Sequence, residues 1–222
     1  MKRTILTFVA VATLGLFMIS CGGSGVGDSG ISNKHLGKYP GLMADKAKHQ
    51  EQIRQDYKYA EDRSDVVKIS KKDDKFKEEW KAAVEKELTA LIGKEIPTEA
   101  KNLPFKISKN VTIKALSSSK ENLEAEFEVE FTQEVKAKKS SDAFMMDPFY
   151  IHFVDTKGAD CKRPDAQQVL PSTLWGTGWG EGNKPITKKV GDKLVYKVTI
   201  SVWPKEAEKW ADFDKIVLSK EK

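Results

Sequence analysis

Nine consecutive residues, Leu123 to Phe131, constrain this chain more than any others. Leu123, Ala125, Phe127, Val129 and Phe131 alternate with Glu124, Glu126, Glu128 and Glu130. A period of two is that of a β-strand, so one face is apolar and the other holds four carboxylates in water. Such a half-buried strand belongs in an antiparallel sheet with one solvated face. The same period recurs in Phe105 to Ala115, separated from the first strand by the turn Ser117-Ser118-Ser119-Lys120-Glu121-Asn122, and in Phe149-Ile151-Phe153. It appears again in Leu194-Tyr196-Val198-Ile200-Val202 after Gly191-Asp192, and a last strand spans Phe213 to Leu218. Pro204 to Trp210 reads as a helical turn or loop crossing between sheets. Five or more strands with long connections, all able to be antiparallel, predict two sheets whose apolar faces meet.

Upstream of Pro97 the period is 3.6. Leu42, Met43, Ala47, Ile53, Tyr57 and Ala60 predict a moderately amphipathic helix over about 43–61. A second helix is capped by Ser70 or Asp73 and carries the stripe Phe76, Trp80, Ala83, Val84, Leu88, Leu91 and Ile92, ended by Gly93 and Pro97. Trp80 reads as a core anchor. The class is therefore α+β: one domain over 42–222, helical over 42–96 and antiparallel β over 97–222.

The beginning of the chain has a different composition. Lys2 and Arg3 precede an apolar run from Ile5 to Ile19, interrupted only by Thr7, Thr13 and Gly15. A bilayer core takes about 20 apolar residues to span, so residues 1–20 read as an export signal that is removed. The junction Leu16-Phe17-Met18-Ile19-Ser20-Cys21-Gly22 resembles the lipobox of bacterial lipoproteins. That resemblance implies that Cys21 becomes the first mature residue, thioether-linked to diacylglycerol with an acylated amine. It also implies a cell-envelope location, with the outer membrane expected. Glycine at 22, 23, 25, 27, 30, 37 and 41, with serine at 24, 29 and 32, makes residues 21–41 read as a flexible tether. Its reach is about 25 Å.

Charge excludes one class of partner. The chain has 38 basic and 33 acidic residues, and loss of Lys2 and Arg3 leaves an excess of three positive charges. Lysines interleave with glutamates, as in Lys77-Glu78-Glu79, which shows no nucleic-acid footprint. With Cys21 lipidated, Cys161 has no disulfide partner and reads as a half-buried structural thiol.

The sequence contains no hydrolase elbow, zinc helix, phosphate loop, paired Cys-x-x-Cys or EF-hand spacing, so no catalytic residue and no cofactor is expected. His35, His49 and His152 are scattered. Asp142, Asp147, Asp155 and Asp160 cluster around one strand, where loop carboxylates can bind calcium, although their spacing matches no known loop. The most unusual segment is Pro171 to Asn183, in which Trp175 and Trp179 stand among glycines and threonine. These rings can present flat faces to a sugar, with Trp203 as a third, or can fold back to cover an open end of the β-layers.

The segments Phe149 to Gly158, Gly191 to Val198 and Phe213 to Leu218 together resemble the Ig-like sandwiches of many bacterial lipoproteins, over about residues 105–220. The immunoglobulin disulfide is absent. One curved sheet wrapped on the Phe76–Ile92 helix, as in cystatin-like domains, is the alternative. Two functional readings follow. The first is a non-catalytic envelope lipoprotein serving as an interaction or structural module, with a membrane and a protein as partners. The second is a glycan-binding accessory protein using Trp175, Trp179 and Trp203.

Overall fold

The computed structural model describes residues 25–136, 149–161 and 187–221, together with the backbone of residues 138–140, 143–145 and 168–169. Helix α1 spans Tyr39–Lys58, with Pro in its first turn where a missing N–H costs nothing. Helix α2 spans Arg63–Thr89 and is capped by Asp62, whose carboxylate accepts the Asp65 N–H at 3.0 Å. The sequence placed the start of α2 at Ser70 or Asp73. The helix begins earlier because the apolar stripe marks only the part that packs, and the first turns carry the exposed Val66 and Val67. Trp80 is the anchor expected: it is buried, its indole N–H donates to the Leu42 carbonyl at 2.6 Å, and the Lys46 ammonium lies 4.1 Å from the ring centroid.

The strands are β1 (Glu95–Ile96), β2 (Thr98–Lys101), β3 (Phe105–Leu116), β4 (Leu123–Phe131), β5 (Val135–Lys136), β6 (Lys138–Ser140), β7 (Ala143–Met145), β8 (Phe149–Asp155), β9 (Gln168–Val169), β10 (Thr187–Lys188), β11 (Lys193–Ile200) and β12 (Phe213–Ser219). Four form an antiparallel sheet in the order β1-β3-β4-β11, with Phe127 opposite Tyr196. Four more form a second sheet, β2-β12-β8-β9. Here β2 runs parallel to β12, a departure from the all-antiparallel expectation. Pro97 lies between β1 and β2, and the chain passes there from one sheet to the other. The pairs β5–β10 and β6–β7 are small antiparallel ribbons.

Aromatic rings join the two sheets. Phe149 of β8 meets Phe105 of β3 at 5.4 Å and Tyr196 of β11 at 5.7 Å between centroids. At the other end Trp210, Phe153 and Phe213 contact one another at 5.2 to 6.1 Å. Trp210 closes a 3-10 helix, Pro204–Trp210, that links β11 to β12 and packs on α1, so the crossing expected there is present. Eight of the strands thus divide between two four-stranded sheets, which departs from the single wrapped sheet of the cystatin-like alternative. The architecture is α+β with mostly antiparallel strands.

The tether expected over 21–41 needs correction in its described part. Residues 25–41 lie on the domain, and the fold therefore begins upstream of Leu42. Leu36 and Tyr39 are fully buried, and Val26 and Ile31 pack against the core. Asn33 fastens this strap: its amide donates to the carbonyls of Ala211 at 3.0 Å and Phe213 at 2.8 Å, while its oxygen accepts from the N–H groups of His35 and Leu36. The Tyr39 hydroxyl donates to the Glu121 carbonyl at 2.7 Å and accepts the Val202 N–H, and burial pushes its pKa up to about 12. Glycine here serves close approach. Gly37 has φ 55°, and a side chain at Gly41 would collide with the Ile31 carbonyl.

One consequence of the docked strap is pH-sensitive. Burial holds the His35 imidazole below its ordinary 6.5, against the opposing pull of a hydrogen bond to the Asp214 backbone, and Nε2 is buried without a partner. A base whose folded pKa is depressed is stabilising above its unfolded pKa, so stability falls from about pH 6.5 downward and levels off below the folded pKa. Urea midpoints measured at about pH 7.5 and pH 5 should fall more for the wild type than for His35→Gln. Equal falls would remove His35 from this role.

Candidate functional site

A concavity of about 650 Å³ opens along the face of β8 and β12 that carries His152, Val217 and Ser219, beside Lys101, Asp155, Asp160 and Glu221. Register explains the grouping. His152 sits opposite Val217 and Tyr150 opposite Ser219 in the β8–β12 ladder, and Lys101 stands beside Ser219 on the other edge of β12. The turn after β8 then returns Asp160 to the same face. Asp155 shapes that turn by accepting the N–H groups of Lys157 at 2.8 Å and Ala159 at 2.9 Å.

His152 is the centre of the cluster. Its Nδ1 lies 3.1 Å from the Asp160 carboxylate, and its Nε2 lies 3.1 Å from the Ser219 hydroxyl and 3.0 Å from the Glu221 carbonyl. An Asp–His–Ser order suggests an activated nucleophile. The partners of Nε2 argue against that role in this arrangement. A carbonyl oxygen only accepts, so the nitrogen facing Glu221 carries a hydrogen and has no lone pair there to receive the serine proton. The Ser219 hydroxyl in turn donates to the Glu221 carbonyl at 3.0 Å. What the geometry does is clamp the C-terminal residues to β8.

The glutamates of β4 face water, as the alternation predicts, and three of them pair with lysines on the neighbouring strands. Glu130 meets Lys106 at 2.9 Å, Glu128 meets Lys193 at 3.1 Å and Lys109 at 3.4 Å, and Glu126 meets Lys197 at 3.9 Å. The Ser108 hydroxyl, followed by Lys193, holds the Glu128 carboxyl below the usual carboxylate range. This is a cross-strand charge ladder.

Of the aspartates weighed for calcium, Asp155 is committed to its turn and Asp160 to His152, while Asp142 and Asp147 lie outside the described residues. Among the described residues no group of three or more His, Cys, Asp or Glu is arranged to hold a metal. Cys161 is fully buried, and burial, followed by the charges of Asp155 and Asp160, pushes its thiol up to about 12. It stays protonated at neutral pH, as a structural cysteine does.

Trp203 is 56% exposed, directly before the 3-10 helix. Trp175, Trp179 and Cys21 lie outside the described residues. The sequence reading missed one polar network. His49 is buried between the helices, stacked on Phe76 at 3.7 Å, with Nε2 3.1 Å from Asp73, which also pairs with Lys77 at 2.7 Å. His49 and Asp73 come from different helices, and only His49's place on the buried side of α1 could have marked it. No protein family, curated protein or solved structure matches this chain.

Proposed function

We propose that this chain is an envelope lipoprotein, acylated at Cys21 and held at a membrane, with the outer membrane as its expected site. Its domain acts as a non-catalytic interaction or structural module. The observation that carries the reading is the order Lys2-Arg3, apolar run, Ser20-Cys21-Gly22. Lipid chains contribute about 0.8 kcal/mol per buried methylene, so two or three of them anchor stably. The charge ladder on β4 and the inward use of His152 support a scaffold role for the surfaces they occupy. In finer terms the β-layers are read as an Ig-like sandwich, supported by the two four-stranded sheets meeting through Phe105, Phe149 and Tyr196.

Growth with labelled palmitate tests the anchor. Label should enter the wild-type protein and be absent from Cys21→Ser, which should also leave the membrane fraction. An unlabelled wild type would end this reading. Glycan binding remains a second reading because Trp203 is exposed. Its fluorescence should respond to envelope polysaccharides, and a Trp203→Ala variant with undiminished glycan binding would remove Trp203 from that role.

A further inference from the structure

Eight large apolar side chains are exposed among the described residues, and four of them, Tyr57, Tyr59, Val66 and Val67, lie within eleven residues at the turn between α1 and α2. The last buried residue of α1 is Ile53 and the first of α2 is Ile69, so this tip is not packed into the core. Lys58, Arg63 and Lys68 stand among the apolar residues together with Asp56, Glu61, Asp62 and Asp65, and Lys68 pairs with Asp65 at 3.0 Å, so the tip is mixed in charge and its apolar side chains carry the argument. Tyrosine and valine suit the boundary between headgroups and acyl chains, where rings are half-wet.

The strap tells which way the anchor lies. Ser29 donates to the Gly41 carbonyl, and farther towards the N-terminus the Gly27 N–H donates to Asp45 at 2.6 Å. Followed backwards, the chain therefore advances along α1 towards the tip. Positions 41, 45, 48, 52, 55 and 59 share one face of that helix. Beyond Asp45 this face leads to a groove of about 460 Å³ beside Gln52, Asp56, Tyr59, Asp65, Lys68 and Ile69. Cys21 is six residues before Gly27, a reach of about 20 Å at most. From Asp45 to Tyr59 the helix rises about 21 Å. The acylated residue can thus reach the level of the tip and scarcely beyond it.

We propose that the α1–α2 tip rests on the same lipid surface that holds the Cys21 acyl chains, with Tyr57, Tyr59, Val66 and Val67 at headgroup depth. This rests on the lipoprotein reading and adds an orientation to it: the domain stands on its helical hairpin.

The test uses the full acylated chain in vesicles of phosphatidylethanolamine and phosphatidylglycerol. Tyr59→Cys and Lys193→Cys each carry an environment-sensitive fluorophore. Cys161 is buried with a raised pKa and Cys21 is acylated, so the label stays on the introduced thiol. Lys193 stands opposite Glu130 in the β4–β11 register, at the far end of β4 from the turn holding Glu121, which contacts α1 through Lys46. Lipids bearing a shallow nitroxide should quench the label at 59 several-fold more than the label at 193. Val66→Glu with Val67→Glu, both at exposed sites, should reduce that quenching while the protein stays bound. Equal quenching at 59 and 193 on bound protein would overturn the orientation and leave the anchor standing. Failure to associate with vesicles at all would overturn the lipoprotein reading itself. Shielding of the label at 59 that grows with protein concentration in detergent, without lipid, would assign the tip to a second copy and also overturn the proposal.

Discussion

Trp80→Ala is expected to lower the unfolding free energy by about 3 to 5 kcal/mol, as truncation of a large buried ring does. Trp80 is 2% exposed and joins the two helices, with α1 supplying the Leu42 carbonyl and the Lys46 ammonium. Its removal leaves a cavity and deprives that carbonyl of the indole N–H. Trp80→Phe separates the effects, because a ring that fills much of the volume without the N–H loses about 1 kcal/mol for the hydrogen bond and less for packing. Denaturant midpoints at constant slope measure both. A Trp80→Ala loss of under about 1 kcal/mol would show that the helices hold together without this ring.

Asn33→Ala should cost about 2 to 4 kcal/mol, because one small side chain satisfies four backbone groups and a buried group left unpaired costs about 1 to 3 kcal/mol. In a chain of this size each kcal/mol is worth roughly 2 to 4 °C in melting temperature. Asn33→Asp is the informative partner. A carboxylate still accepts the N–H groups of His35 and Leu36 but has nothing to donate to Ala211 and Phe213. It should therefore loosen the strap while preserving the local turn, seen as faster amide exchange over residues 26–37 than in the body of the sheets. Protection unchanged in both variants would show that burial of Leu36 and Tyr39 holds the strap unaided.

The strands were legible because their period is written in side chains. Leu123 to Phe131 and Leu194 to Ile200 alternate and pair in the register that puts Phe127 against Tyr196. Helix α1 was placed within four residues at each end. The start of α2 was not, since Val66 and Val67 face away from the body and no core stripe announces them. The strap is hidden in the sequence for a physical reason: its glycine and serine suggest chain entropy, whereas Gly37 and Gly41 answer to a left-handed backbone and a close approach to Ile31. Asn33 followed by Gly37 held the clue, since asparagine caps its own turn. The His152 and His49 clusters join residues from different elements, and a periodicity argument cannot bring such partners together. The parallel pairing of Thr98–Lys101 with Ile216–Ser219 was hidden for the same reason.

The partners of the Asn33 amide lie 178 and 180 residues further along the chain. Synthesis runs from the N-terminus, so the strap can meet α1 early, but the Asn33 amide has nothing to grip until almost the last strand exists. Loop closure over such a span contributes no favourable contacts until it is complete, which favours late docking. A chain growing from its N-terminal side would therefore stay unlatched at Asn33 until Phe213 had been added, so that closing this latch belongs to the last stage of folding.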